Sequence, residues 1–426
     1  MTVATPRHAV ISLWLSLAVA LAAGACKKDE GRKDASIVLG VPTALGTIEG
    51  QDSLRSAQLA VSEINAGGGV NIGGAKRTLE IVSIDTRESE AGIPVNDALA
   101  GMEKLVAENK PAAIVVGAFR SEVLLSAMEM NARLKLPYLC TIAATPEFEK
   151  KVASDHDKYK YDFRLGLSAP YLVGSVAKML EFTRTKFGFD KVYFVHQDVA
   201  WAKGTVAGIT RAVQAAGWTV LGSDPYPTGS SDFSSSLTRA KDSGAQVLVP
   251  VFDMPESGVL VKQAQTMKMT ALIAGVISPA APATAWETFK GEIDGLVNIQ
   301  FEAGPIPLKT PRSAHYYEAY AKTYGDNLLA TLSGHGPGPS YDAVYVLAAA
   351  IERAGSLDPD ALVAQLEKTD MEGAIGRIVF NKDHQVVYGA DPAQAAVTLA
   401  FQWRAGKRVV VYPEMLADAQ IEVSGR

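Results

Sequence analysis

Short apolar strands alternate with amphipathic helices along almost the whole chain. That alternation restricts the fold to parallel sheets covered on both faces by helices. Ile37-Val38-Leu39-Gly40-Val41 reads as a first strand. Leu54, Ala57, Val61 and Ile64 then recur at helical spacing, and Gly67-Gly68-Gly69 stops that helix. The same logic predicts strands at 79–84, 112–116 and 137–142, with helices at 93–109 and 121–134. The rhythm restarts after residue 165. Strands at 191–196, 219–223, 246–251 and 272–274 alternate with helices at 171–187, 204–216, 233–241 and 256–267. Helices at 313–324, 341–354 and 359–366 follow, then strands near 377–381 and 396–403. Two successive runs of βα units predict two similar lobes.

The first 26 residues say where the chain works. Arg7 supplies a positive start, and Ala9 to Ala23 form an uncharged apolar run too short to span a membrane comfortably. Small residues lead into Cys26, and Lys27-Lys28-Asp29-Glu30 turns polar at once. The pattern resembles a bacterial lipoprotein signal, cleaved before Cys26, whose thiol then carries lipid. An ordinary secretory signal with a chance cysteine is the other reading. Both imply an extracytoplasmic protein; the first anchors it to a bacterial membrane. Residues 1–25 are expected to be the signal, and 26–35 a tether.

With 41 basic and 46 acidic residues the formal net charge is −5, and no long basic run appears. Nucleic acid is therefore not an expected partner. The two cysteines are Cys26 and Cys140. If Cys26 is lipidated no internal disulfide can form, and Cys140, in an apolar run, is expected to be a buried inert thiol.

Ligands of open parallel sheets sit beyond the carboxyl ends of strands, where loops lead into helices. Two such turns stand out: Val115-Val116-Gly117-Ala118-Phe119-Arg120-Ser121 and Ile142-Ala143-Ala144-Thr145-Pro146. Ser121 and Thr145 are natural N-caps, and Pro146 suits a first helical position. Free N–H groups and the helix dipole attract anions at such ends. The plainer reading is that both residues only cap their helices.

Several stretches, in order, resemble the leucine/isoleucine/valine-binding proteins, extracytoplasmic solute receptors of ABC importers. They are Gln58 to Val70, Asp85 after a strand, Ala143-Ala144-Thr145-Pro146-Glu147, Phe163-Arg164-Leu165 and Tyr226-Pro227 with Asp232-Phe233. Tyr341-Asp342-Ala343-Val344, Ala349 to Gly355 and Phe401-Gln402-Trp403 continue the series. The resemblance covers nearly all of residues 36–412. It implies an α/β type I periplasmic binding protein fold, two doubly wound parallel-sheet lobes joined by three crossovers. Lobe 1 is then expected at 36–166 plus 302–376 and lobe 2 at 167–301 plus 377–412, with a tail at 413–426.

The resemblance also implies a site. Ser121 and Thr145 would hold a ligand carboxylate, with Ala143 donating through its backbone. Trp201 falls where the family places an aromatic residue over the ligand, and Phe119 and Glu49 map near the cleft. Glu49 departs from an aromatic habit of amino-acid binders. A second departure is Val276, where those proteins carry an acidic partner for the ligand's ammonium. A buried ammonium without an anion is costly, so Asp253, Glu49 or Glu122 would have to substitute, or the solute lacks an ammonium. Arg120 can pair with a second acidic group or simply lie at the surface.

Enzyme readings find little support. His315, His335 and His384 are scattered, and no metal-ligand spacing appears. No phosphate loop or nucleophile elbow is present. Gly334 to Pro339 looks like a cofactor loop, but prolines interrupt it and a surface loop is expected. Asp85 is expected to support loop hydrogen bonds. The expectation is therefore a monomeric solute-binding lipoprotein without cofactor, metal or catalysis. It would bind a branched-chain amino acid or a related small carboxylate or amide and deliver it to a membrane permease. A sensor component passing its closed state to a signalling partner is the alternative.

Overall fold

The computed structural model describes residues 36–90, 92–302, 304 and 306–423. The expected signal, the tether and Cys26 lie outside the described residues. Two sheets organise the rest. In the first lobe the strands Leu79–Asp85, Ile37–Thr43, Ala113–Val116, Tyr138–Cys140 and Asp162–Arg164 lie side by side in that order, all parallel. Their residues are nearly continuous apolar runs because helices cover both faces; Ile114, Val115 and Val116 are fully buried.

The second sheet has seven strands. Thr219–Tyr226, Lys191–Gln197, Val247–Phe252, Leu272–Ile277 and Val297–Gln300 are parallel. Leu399–Arg404 and Lys407–Tyr412 add an antiparallel edge. This is the doubly wound two-lobe α/β fold that the alternation and the resemblance imply. Within the second sheet, Val297–Gln300 and Lys407–Tyr412 have no counterpart in the predicted strands. The first is only four residues long, and its Asn298 interrupts the apolar pattern. That buried amide instead accepts from the Ile277 N–H and donates to the Ile277 carbonyl.

Helix starts also differ from the sequence reading. The first helix runs Ile48–Ala66, because the Thr47 hydroxyl accepts from Gly50 N–H at 3.0 Å and caps it there. The Pro337–Ala354 helix begins with the prolines that were expected to break a loop. Pro lacks only an N–H that the first turn leaves unpaired anyway.

Three chain segments pass between the lobes and grip one another. Arg164 N–H donates to the His384 carbonyl and Val386 N–H to the Arg164 carbonyl. Gln385 donates to the Gly166 carbonyl, and Tyr388 to that of Leu165. Leu167 N–H donates to the Glu302 carboxylate at 2.8 Å. The Arg164 side chain is fully buried and pairs with Glu149 at 2.6 Å.

Cys140 is buried, and burial pushes its thiol up to about 11. An un-ionised thiol of this kind is unreactive. Among the described residues no helix is long and apolar enough to cross a membrane.

Candidate functional site

The carboxyl ends of strands in both sheets face a common cleft. Glu49, Phe119, Ser121, Ile142, Ala143, Ala144 and His335 line it, as do Trp201, Asp253, Ser278 and Phe301. Each follows a strand or opens a helix, as expected for this sheet type.

The turn after Ala113–Val116 is held on all sides. Val116 and Gly117 both have positive φ, 82° and 72°. A Cβ on Gly117 would meet the Tyr138 hydroxyl oxygen at 2.2 Å, so only glycine fits. That oxygen accepts from Ala118 N–H at 2.6 Å. The buried Glu88 carboxylate accepts from the backbone N–H groups of Phe119 and Arg120 and from the Thr86 hydroxyl. Ser121 is therefore the first residue of its helix rather than its cap, and Arg120 occupies the cap position without a side-chain bond. Ser121 lines the cleft, and its hydroxyl has no hydrogen-bond partner among the described residues.

Thr145 lies one residue before the cap position of its helix. It does not line the cleft; its hydroxyl accepts from Glu147 N–H at 3.2 Å, and its carbonyl accepts from Arg164 at 2.7 Å. Arg164 also donates to the carbonyl of Ala143, which does line the cleft. Pro146 takes the cap position of the helix that follows, not its first turn. Arg120 is also absent from the lining. Its guanidinium donates to the Glu88 and Ile93 carbonyls and approaches Glu122, so neither Arg120 nor Glu122 reaches the cleft.

Val276 needs correction. The strand extends to Ile277, and Val276 sits inside it, buried and paired with Val251. Ser278 is the residue that leaves this strand for the cleft.

Two acids do enter. Glu49, in the first turn of its helix, is pushed up to about 7, chiefly by burial, with the Asp253 charge adding to it. Burial likewise raises Asp253, against a 2.7 Å bond that its Oδ2 accepts from the Trp201 indole. Trp201 packs edge-on to Phe301 at 5.6 Å, and Phe301 packs on His335 at 4.3 Å.

His335 lies in the stretch expected to be a surface loop, yet it is part of the wall. The Ile142 carbonyl can only accept, so His335 Nε2–H donates to it at 2.6 Å. Nδ1 faces the buried Glu302 carboxylate at 3.1 Å. Burial opposes the charged imidazole, but Glu302, the Ile142 carbonyl and Glu49 together raise its pKa. Reading Pro337 as a helix start would have placed His335 just before a helix, and so near a cleft. Asp85 accepts from Leu45 and Arg87 N–H groups, the loop role expected of it.

His156, Glu367 and His384, which no metal-ligand spacing in the sequence joins, meet in space as a group of possible metal ligands.

Two α/β lobes, joined by three crossovers and facing each other across a polar and aromatic cleft, define a bilobal ligand-binding protein. The comparisons agree. The sequence model of the periplasmic binding protein family matches residues 38–398. The chain belongs to that family. It is 25% identical over 385 residues to Leu/Ile/Val-binding protein homolog 8 of Brucella melitensis, 87% of this chain and 88% of that one. Its fold is similar to a putative branched-chain amino acid ABC transporter from Silicibacter pomeroyi, with TM-score 0.77 and 19% identity, covering 91% of this chain and 99% of that one. It is also similar to the substrate binding protein LivJ from Streptococcus pneumoniae in complex with isoleucine. There the TM-score is 0.70 and the identity 21%, covering 89% and 100% of the two chains.

Proposed function

We propose that this protein is the extracytoplasmic solute-binding component of an ABC importer, and that its solute is a branched-chain or similar apolar amino acid. The observation that carries the reading is the convergence of Glu49 and Asp253, one from each lobe, on one cleft with the Ser121 hydroxyl. Two buried carboxylates in one cleft call for a cation. His335 is already paired with Glu302, so a ligand ammonium fills that need. The ligand carboxylate then faces Ser121 and the start of the 14-residue helix behind it. Trp201, Phe119, Phe301 and Ile142 supply the apolar surface for a hydrocarbon side chain. The names of the relatives point the same way.

The protein does no covalent chemistry in this reading. Its lobes close on the ligand, and the closed form docks to a permease. Lipid on Cys26 holds it to the membrane; Cys26→Ser is expected to move the protein to the soluble extracytoplasmic fraction, and unchanged membrane partitioning would remove the anchor.

Calorimetric titration with leucine and with its keto-acid counterpart tests the ligand assignment. Leucine is expected to bind wild type tightly, the keto acid far more weakly, and Glu49→Gln and Asp253→Asn are each expected to weaken leucine. Tight keto-acid binding without leucine binding would overturn it.

A further inference from the structure

We propose that His156, Glu367 and His384 form a binding site for one zinc-like divalent cation, away from the ligand cleft. His156 Nε2 and His384 Nε2 are 3.3 Å apart. Glu367 Oε1 lies 3.3 Å from His384 Nε2 and 3.5 Å from His156 Nε2. The three atoms make a nearly equilateral triangle. A tetrahedral ion with bonds of about 2.0–2.1 Å has ligands separated by about 3.3–3.4 Å, so the triangle matches one face of a zinc tetrahedron. Two imidazoles and one carboxylate are also a donor set that zinc takes, with the fourth position left to solvent.

The surroundings prepare the ligands. His384 Nδ1 is 3.0 Å from the Asp162 carbonyl, which can only accept. Nδ1 therefore donates to that carbonyl, the outer bond that orients most metal-bound histidines, and Nε2 is the ring nitrogen left to ligate an ion. The His384 ring stacks on Phe163 at 4.0 Å with 7° between planes, which fixes its direction. His384 also adopts a left-handed backbone, φ 57°, uncommon for a non-glycine residue. His156 and Glu367 are exposed, so an ion can enter from solvent.

The site joins three separate parts of the chain. His156 opens a short turn of helix ahead of the Asp162–Arg164 strand, and Glu367 ends the Pro359–Leu366 helix. His384 precedes Gln385, which grips the first crossover at Gly166. A bound ion would pin the third crossover to the first lobe, so it should raise the stability of the whole chain.

The test uses tag-free, chelator-treated protein titrated with zinc chloride alone. Wild type is expected to take up one zinc per chain, with a rise in melting temperature that magnesium does not produce. His156→Gln and Glu367→Gln, both at exposed positions, are each expected to weaken zinc at least about tenfold. His315→Gln, which alters the other exposed His–Glu pair, is expected to leave it unchanged. Cobalt in place of zinc is expected to give the strong visible absorption of a tetrahedral site. No uptake by wild type would overturn the proposal, as would equal affinity in His156→Gln and Glu367→Gln, or loss of uptake in His315→Gln.

Discussion

The indole Nε1 of Trp201 donates to Oδ2 of Asp253 across 2.7 Å. Sequence reasoning gives these two residues separate tasks, one stacking on a ligand and one pairing with its ammonium. The structure makes them a unit. The bond ties the carboxylate to a ring that packs against Phe301.

Trp201→Phe keeps an aromatic ring and removes the donor. Asp253 then loses a bond that favours its charged form, and its pKa rises further. Leucine affinity is expected to fall about ten- to a hundredfold, the loss of one hydrogen bond to a charged group. Titration of the variant at neutral pH checks this; unchanged affinity would detach the pair from ligand binding.

The parts of the fold legible in the sequence are those with long periodic signals. The helix Ser121–Leu134 and the strands Ile37–Thr43, Leu79–Asp85 and Ala113–Val116 show it, since burial on one or both faces writes itself into composition. Less legible were features set by contacts between distant residues. Nothing near Ser121 reveals that Glu88 takes over the backbone donors of the turn and frees the serine hydroxyl. His335 was hidden because Pro337 reads equally as a loop breaker and a helix start, and the structure shows the helix start. His156 and His384 are more than two hundred residues apart, so no spacing rule joins them.

Glu49 governs a pH dependence. Its carboxyl is raised from 4.5 to about 7 in the folded protein, so between those values the folded state holds a proton that the unfolded state has lost. Stability must therefore fall as pH rises through this window, by up to about 3 kcal/mol. Glu49→Gln removes the penalty: the ligand-free variant is expected to match wild type near pH 4 and exceed it near pH 8. A ligand ammonium would also drive the proton off. Leucine binding near pH 6 is expected to release close to one proton, read from the buffer dependence of the heat. Asp253, Asp52 and His335 face the same group and will broaden the titration. No proton release would break the link between Glu49 and the ammonium.

Ser121 separates binding from stability. Its hydroxyl makes no cap bond, so Ser121→Ala is expected to change unfolding free energy by less than about 0.5 kcal/mol. Leucine affinity is expected to fall about tenfold or more through the lost bond to its carboxylate. Denaturant unfolding without ligand and titration with it distinguish the two. A stability loss with unchanged affinity would return Ser121 to a purely structural role.

Glu302 ties the site to the crossovers. One buried carboxylate accepts from Leu167 N–H, Gly336 N–H and His335 Nδ1. Glu302→Gln keeps an acceptor for the backbone but leaves the buried imidazolium without its counter-charge. Breaking such a pair costs about 3 kcal/mol where the histidine stays charged. The sign with pH follows from the direction of the His335 shift. Its folded pKa is raised above 6.5, so its stabilisation is complete below that value and is lost as pH rises through the folded pKa. The gap in unfolding free energy between wild type and Glu302→Gln is therefore expected to be widest near pH 6 and to narrow at alkaline pH. Chemical denaturation of both proteins across that range measures it. A gap that stays constant or widens as pH rises would mean that His335 carries no charge in the folded protein, and that Glu302 holds the crossover through its backbone partners alone.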